Sequence, residues 1–182
     1  MRVSSKIKQL NEIKMTGQRE TIKQIPLTRG RVAIVDAEDY SWLSQYKWFY
    51  SSKGYASTKI NYKHIYMHRM ILDAPKGLEV DHINLDTLDN RRQNIRLATK
   101  SQNQANCPKH NGTQSTYKGV HIANNKHKKA WQAQTTFQGR KYSFGTFENE
   151  CHAAMVYDIY AKDMFGEFAN LNFPNAIHGG KL

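Results

Sequence analysis

The chain has 182 residues, enough for one ordinary domain or two small ones, and its 39 % hydrophobic and 11 % aromatic content excludes wholesale disorder. Its 27 Lys and Arg outnumber its 15 Asp and Glu, a formal charge of +12 that favours a polyanionic partner. No apolar run is long enough to span a membrane. Cys107 and Cys151 stand far apart and outside any Cys-x-x-Cys pair, which argues against zinc and against a disulfide framework and points to a reducing cytoplasm.

Residues 1–24 are polar and basic, with Ile7, Leu10 and Ile13 at three-residue spacing. They read either as a short amphipathic helix or as a disordered basic arm of the kind that touches DNA backbone. The basic N-terminus lacks the hydrophobic core of a secretory signal. From Ile25 the pattern tightens: Pro26 suits an edge strand, Arg29-Gly30 a turn, and 31–35 a strand. Asp36 is a candidate cap for a helix with Tyr40, Leu43 and Tyr46 on its apolar side, and Asp39 lies near its positive end. Strands at 47–50, 55–59 and 64–67 read as a meander, with a helical turn at 67–72 before Ala74-Pro75-Lys76-Gly77. His64 and His68 are read as structural histidines.

Residues 79–83 then read as a strand, 84–90 as a polar loop and 95–98 as a second short strand. Thr99 opens a helix, with Gln102 completing a capping-box pattern. Within this span Asp81 directly precedes His82, Asn94 follows twelve residues on and Asn103 nine beyond that, with Arg91, Arg92, Arg96 and Lys100 among them. A metal ligand, a proton acceptor and cations for phosphate in one short unit are what hydrolysis of a phosphodiester needs. Asn90 to Phe147 contains no Asp or Glu and eleven Lys or Arg, which places nucleic acid beside that chemistry.

Asp81-His82, Asn94-Ile95 and Asn103 resemble the ββα-metal motif of HNH nucleases, particularly phage and intron-encoded homing endonucleases. The third position is Asn rather than His, as in the Asn variant of that family. The resemblance implies that Asp81 and the amide carbonyl oxygen of Asn103 hold one divalent ion, Mg²⁺ or Mn²⁺ by the hardness of the donors. It implies that His82 is the general base, which Asn94 orients by locking the loop. Arg91, Arg92 and Arg96 are candidate phosphate clamps, because guanidinium pairs bidentately with phosphate. For any one of them, solvation and backbone contact is the simpler role.

Residues 108–116, polar and broken by Pro108 and Gly112, read as a linker, with Cys107 and His110 as linker residues. A strand at 117–122, an alternating strand at 130–137, a Gln138-Gly139 turn and a strand at 141–147 follow. A helix from about 149 carries Ala153, Ala154, Tyr157, Ala161 and Phe165 on one side and stops at Gly166. Tyr117-Lys118-Gly119-Val120, Trp131-Gln132-Ala133, Gly145-Thr146-Phe147, Ala153-Ala154, Tyr157-Asp158 and Asn172-Phe173-Pro174 resemble the APETALA2-type DNA-binding domain. That resemblance implies a sheet that reads the major groove of double-stranded DNA through Lys118, His121, Gln132, Gln134, Thr136, Lys141 and Ser143. Trp131 would pack beneath the sheet. Several plant members carry Arg or Trp where this chain has His121, Thr136 and Ser143, so their target sequence does not transfer.

The expected architecture is α+β: a basic arm (1–24), an HNH nuclease domain (25–107), a linker (108–116), a three-stranded sheet with one helix (117–174) and a tail (175–182). The expected function is site-specific cleavage of duplex DNA in the cytoplasm by a metal-dependent homing endonuclease. Nicking by a monomer and double-strand cutting by a dimer both remain open. The alternative is a non-catalytic DNA-binding regulator with a structural HNH region. An RNA-directed nuclease has only the general charge in its favour.

Overall fold

A computed structural model describes residues 21–109, 112, 114–123 and 130–176. The N-terminal arm up to residue 20, His110, the turn at 124–129 and the end of the tail lie outside the described residues. Helices and several small antiparallel sheets mix in two compact units, residues 1–97 and 98–182, each with its own core.

In the first unit, β1 (Ile22–Pro26) and β2 (Val32–Asp36) form an antiparallel hairpin across a turn at Thr28–Gly30. Helix α1 (Ala37–Leu43) follows directly. Asp36 stands at its N-cap position without bonding the helix; its carboxylate instead accepts from the Arg92 backbone N–H at 2.7 Å. The expected cap is therefore diverted to a tertiary partner. Strands β3 (Phe49–Tyr50), β4 (Ala56–Ile60) and β5 (Lys63–Tyr66) make the antiparallel meander, and α2 (Met67–Ile71) follows. Val35, Leu43, Trp48, Met67, Ile71, Val80 and Ile95 close the core between these elements. Complete burial of a side chain such as Leu43 or Met67 contributes about 2 kcal/mol. The indole of Trp48 donates to the Leu43 carbonyl at 2.8 Å, so its one polar atom is satisfied inside that core.

Strands β6 (Glu79–His82) and β7 (Ile95–Ala98) pair as a two-stranded sheet. The intervening loop is not a free polar excursion. Ile34 N–H donates to Leu88 O, Asn90 N–H donates to Ile34 O, and Thr87 Oγ1 donates to Gly54 O. The loop is thereby laid along β2 as a short parallel bridge at Ile34 and Asp89.

The second unit begins with α3 (Lys100–Asn106), whose capping box forms as the sequence predicts: Gln102 N–H donates to Thr99 Oγ1, and Thr99 N–H donates to Gln102 Oε1. Ala105 is buried in this unit's core, and its carbonyl accepts from Asn170 N–H. Sequence alone grouped this helix with residues 25–107. Strands β8 (Val120–Ala123), β9 (Ala130–Phe137) and β10 (Arg140–Phe147) form an antiparallel sheet in the order β10-β9-β8, with a bulge between Ser143 and Thr146. Helix α4 (Glu150–Phe165) is capped by Asn149 Oδ1, which accepts from Cys151 and His152 N–H. It packs on the face presenting Val120, Trp131 and Ala133. Part of the expected linker is anchored as well: Ser115 is buried, and Glu150 Oε1 accepts from its hydroxyl and from Thr116 N–H.

The first sheet strand starts at Val120 rather than at Tyr117 because Gly119 has φ +73°, and a Cβ there would lie 2.0 Å from the Tyr157 ring. Gly119→Ala must strain the backbone and displace that ring together. Thermal unfolding should show a loss of at least about 2 kcal/mol. Gly139→Ala, at a turn glycine of φ +78° with open space around it, should cost less because only backbone strain is involved.

Candidate functional site

Asp81 and His82 end β6 side by side and are both buried, at 2 % and 5 % exposure. A carboxylate so placed needs a counter-charge, and Arg96 Nε on the neighbouring strand donates to Asp81 Oδ2 at 2.9 Å. Of the three arginines expected to clamp phosphate, Arg96 is thus the one beside the Asp-His pair. Arg91 makes a bidentate pair with Asp89, and Arg92 a bidentate pair with Asp39, with Glu38 also in reach. Those two guanidinium forks are engaged by carboxylates of this chain and hold loop to scaffold.

The imidazole of His82 sits among rings. Tyr55 stacks on it at 6.0 Å between centroids, and His68 meets it edge to face at 5.1 Å and 89°. Tyr55 and Tyr66 also pack on His68, at 5.0 and 5.4 Å. His68, expected to be structural, is a buried neighbour of the candidate base. Its Nδ1 is buried and has no hydrogen-bond partner among the described residues. Desolvation, followed by repulsion from His82 and Arg69, pushes its pKa down to about 3. Burial also lowers the pKa of His82, against the opposing pull of Asn90, Asp81, Asp86 and Asp89, so its imidazole is neutral at pH 7 and able to accept a proton.

His82 Nε2 lies 3.4 Å from Oδ1 of Asn90, a residue that is fully buried and whose Nδ2 donates to Leu88 O. Asn94 works one step back. Its Nδ2 donates to Asn84 Oδ1 and to Asp89 O, its Oδ1 accepts from Asn84 N–H, and its backbone carbonyl accepts from Ile83 N–H. Asn94 bonds within the loop, while the amide facing the imidazole is that of Asn90. Asn90 ends the polar loop expected at 84–90, and nothing in the sequence marks which amide faces inward.

Asn103 belongs to the second unit, on α3, where its backbone carbonyl accepts from Cys107 N–H at 3.3 Å and from Cys107 Sγ at 3.4 Å. Cys107 is the C-cap of this helix rather than a linker residue.

In the sheet of the second unit, pairing places His121 opposite Gln132, Ser143 opposite Gln134 and Lys141 opposite Thr136. Cross-strand partners share a face, and residues two apart on β9 share it too. The six therefore lie on one surface, opposite the side that carries Val120, Trp131 and Ala133. Gln132 Nε2 donates to Ser143 Oγ at 3.0 Å. The helix-free side is not entirely open, however. His121, Gln134, Thr136 and Lys141 share a cleft of about 530 Å³ with Ser101 and Gln104 of α3. Burial and nearby Lys141 lower the pKa of His121. Lys118 Nζ donates to the Ala105 and Cys107 carbonyls at the end of α3, and desolvation brings its pKa to about 8. In this position it caps that helix.

The depressed His68 pKa carries a stability signature. The unfolded chain takes up this proton near the ordinary value of 6.5 and the folded chain only near 3. Stability from this group is therefore complete above pH 6.5 and falls on acidification toward 3, by about 1.4 kcal/mol per pH unit. Urea midpoints measured between pH 6.5 and 4.5 should fall steeply for the native chain and more gently for His68→Phe.

Residues 62–105 match the family described as HNH endonuclease. A protein of Acanthamoeba polyphaga mimivirus described as an uncharacterized HNH endonuclease is 32 % identical over 150 residues, covering 79 % of this chain and 76 % of the relative. No solved structure matches the chain. Similarity to the viral protein runs past the matched segment on both sides, and the chain belongs to the HNH endonuclease family.

Proposed function

We propose that the chain is a divalent-metal-dependent, site-specific DNA endonuclease of the homing type, with its chemistry centred on Asp81 and His82. The observation that carries this reading is a buried imidazole beside a buried carboxylate at the end of one strand, with the amide of Asn90 facing the ring. HNH nucleases generally use a divalent metal. The resemblance to the family assigns the metal to Asp81 and Asn103, and a carboxylate and an amide carbonyl are each hard oxygen donors suited to Mg²⁺ or Mn²⁺. Among the described residues no group of three or more His, Cys, Asp or Glu is placed to hold a metal ion. Such a donor set leaves further ligands to water and DNA phosphate, the usual habit of Mg²⁺.

His82 would take a proton from the attacking water, a contribution of about 10²–10⁴-fold for a well-placed base. Asn90 and the packed rings of Tyr55 and His68 hold its plane, and Asn94 keeps the loop closed behind Asn90. A bound divalent ion would supply stabilisation of the charge on phosphate and on the departing 3′ oxygen. Arg96, paired to Asp81, tempers the negative charge of that carboxylate.

We assign recognition to the second unit. Its likeness to the APETALA2-type domain, together with a face presenting His121, Gln132, Gln134, Thr136, Lys141 and Ser143, supports groove reading; Gln paired to adenine and Lys to guanine or phosphate are suitable contacts. The alternative, a DNA-binding regulator without catalysis, makes no use of a base beside a hard-metal ligand.

Purified protein should cut long duplex DNA with Mg²⁺ or Mn²⁺ and not with chelator. His82→Ala should reduce cleavage by at least about 10²-fold with duplex affinity almost unchanged. Tight binding with no metal-dependent cleavage on any genomic substrate would favour the regulator. The triple change His121→Ala, Gln132→Ala and Lys141→Ala should erode site preference while leaving non-selective cleavage intact; unaltered preference would remove the second unit from recognition.

A further inference from the structure

The hairpin joining β4 to β5 has a two-residue tip, Asn61-Tyr62, fixed by pairing of Ile60 with Lys63. Both tip residues have positive φ, 49° and 63°. A tight hairpin of this hand needs that conformation, which Asn and Gly adopt readily and a bulky side chain adopts at a cost of about 1 kcal/mol. Tyr62 is also fully exposed, so its ring contributes no packing to the fold that imposes this strain. The position would be more stable as glycine.

The surroundings indicate what the ring is for. Lys59, Lys63 and His64 are all exposed beside it, and Lys59 and His64 stand directly opposite each other on the two strands. Between Asp39 and Asp73 the sequence holds five Lys or Arg and no acid at all. An unsupported aromatic among cations on a narrow tip suits a partner with flat π-faces and closely spaced phosphates. The foot of the same hairpin carries Tyr55 and Tyr66, the rings that pack around His68 and His82. Tyr66 lies four residue steps along the strand from Tyr62, roughly 13 Å.

We infer that the β4–β5 tip is a DNA-contacting finger: Tyr62 lies against a base or deoxyribose of the duplex, and Lys59 and Lys63 bind the flanking phosphates. This contact rests on the nuclease reading centred on His82, and it places the finger one short strand away from the rings that pack beside that base. Acting through the first unit, the finger holds DNA independently of the sheet assigned to recognition.

Binding in chelator isolates this contact from the chemistry. With a fluorescein-labelled mixed-sequence duplex, anisotropy should show Tyr62→Gly binding about tenfold more weakly than the native chain, and Tyr62→Trp binding as well or better. Lys59→Gln and Lys63→Gln should each lower the slope of log affinity against log salt by about one. Tyr62→Gly should at the same time raise Tm, because the strained turn relaxes. Weaker binding with higher stability is a combination a merely structural ring does not produce. Unchanged affinity in Tyr62→Gly, a lowered Tm, or Tyr62-dependent self-association in the ultracentrifuge without DNA would each overturn the inference. Absence of metal-dependent cleavage would count against the nuclease reading alone, since no binding measurement here needs cleavage.

Discussion

Asp89 is buried at 2 % exposure, and a carboxylate in that position must have its charge and its lone pairs met. Arg91 supplies two charge-assisted hydrogen bonds at 2.7 and 2.6 Å, and Asn84 Nδ2 adds another at 3.0 Å. These bonds, led by those from Arg91, hold the Asp89 carboxyl below its usual range. The backbone of the same residue bridges to β2 and gives its carbonyl to Asn94. A loop that would otherwise be a flexible polar connection is thereby over-determined, and Asn90 is carried into the interior against His82. The candidate base owes its orientation to a charge buried seven residues further along the chain.

The same economy runs through the first unit. Asp39, also buried, takes a bidentate guanidinium from Arg92 and the indole N–H of Trp42. Asp36 takes the Arg92 backbone N–H. Helix α1 and the loop are thus tied together by hydrogen-bonded charges as well as by apolar packing. Such pairs add little net stability once desolvation is counted, but removing one partner leaves an uncompensated charge in the interior. They restrict the loop to one arrangement, which is what a general base requires of its support.

In the second unit the sheet separates two tasks by alternation. Val120, Trp131 and Ala133 pack on α4, while His121, Gln132, Gln134 and their cross-strand partners turn away from it. Asp158, buried at the far side of α4, accepts from Asn172 and Phe173 N–H and so returns the chain end to the helix. Lys118 is drawn into this arrangement because the exposed carbonyls at the end of α3 need donors, and its ammonium is the group that reaches them.

Local chemistry determined much of what can be read from the chain alone. Period-two alternation set β9, the Thr99–Gln102 pair set the start of α3, Gly166 set the end of α4, and the Asp81-His82 pair with its asparagine spacings marked the candidate site. These features depend on neighbours within a few residues, so sequence records them. Tertiary structure decided the rest. It chose Asn90 over Asn94 to face the imidazole, turned Arg91 and Arg92 toward carboxylates, brought His68 and Tyr55 onto His82 with Tyr66 behind His68, and made Lys118 a helix cap. Each of these depends on which groups share a low-dielectric interior, and on the need to satisfy every charge and polar atom there. A residue's type limits the bonds it can make; only the packed chain fixes which partner is within reach.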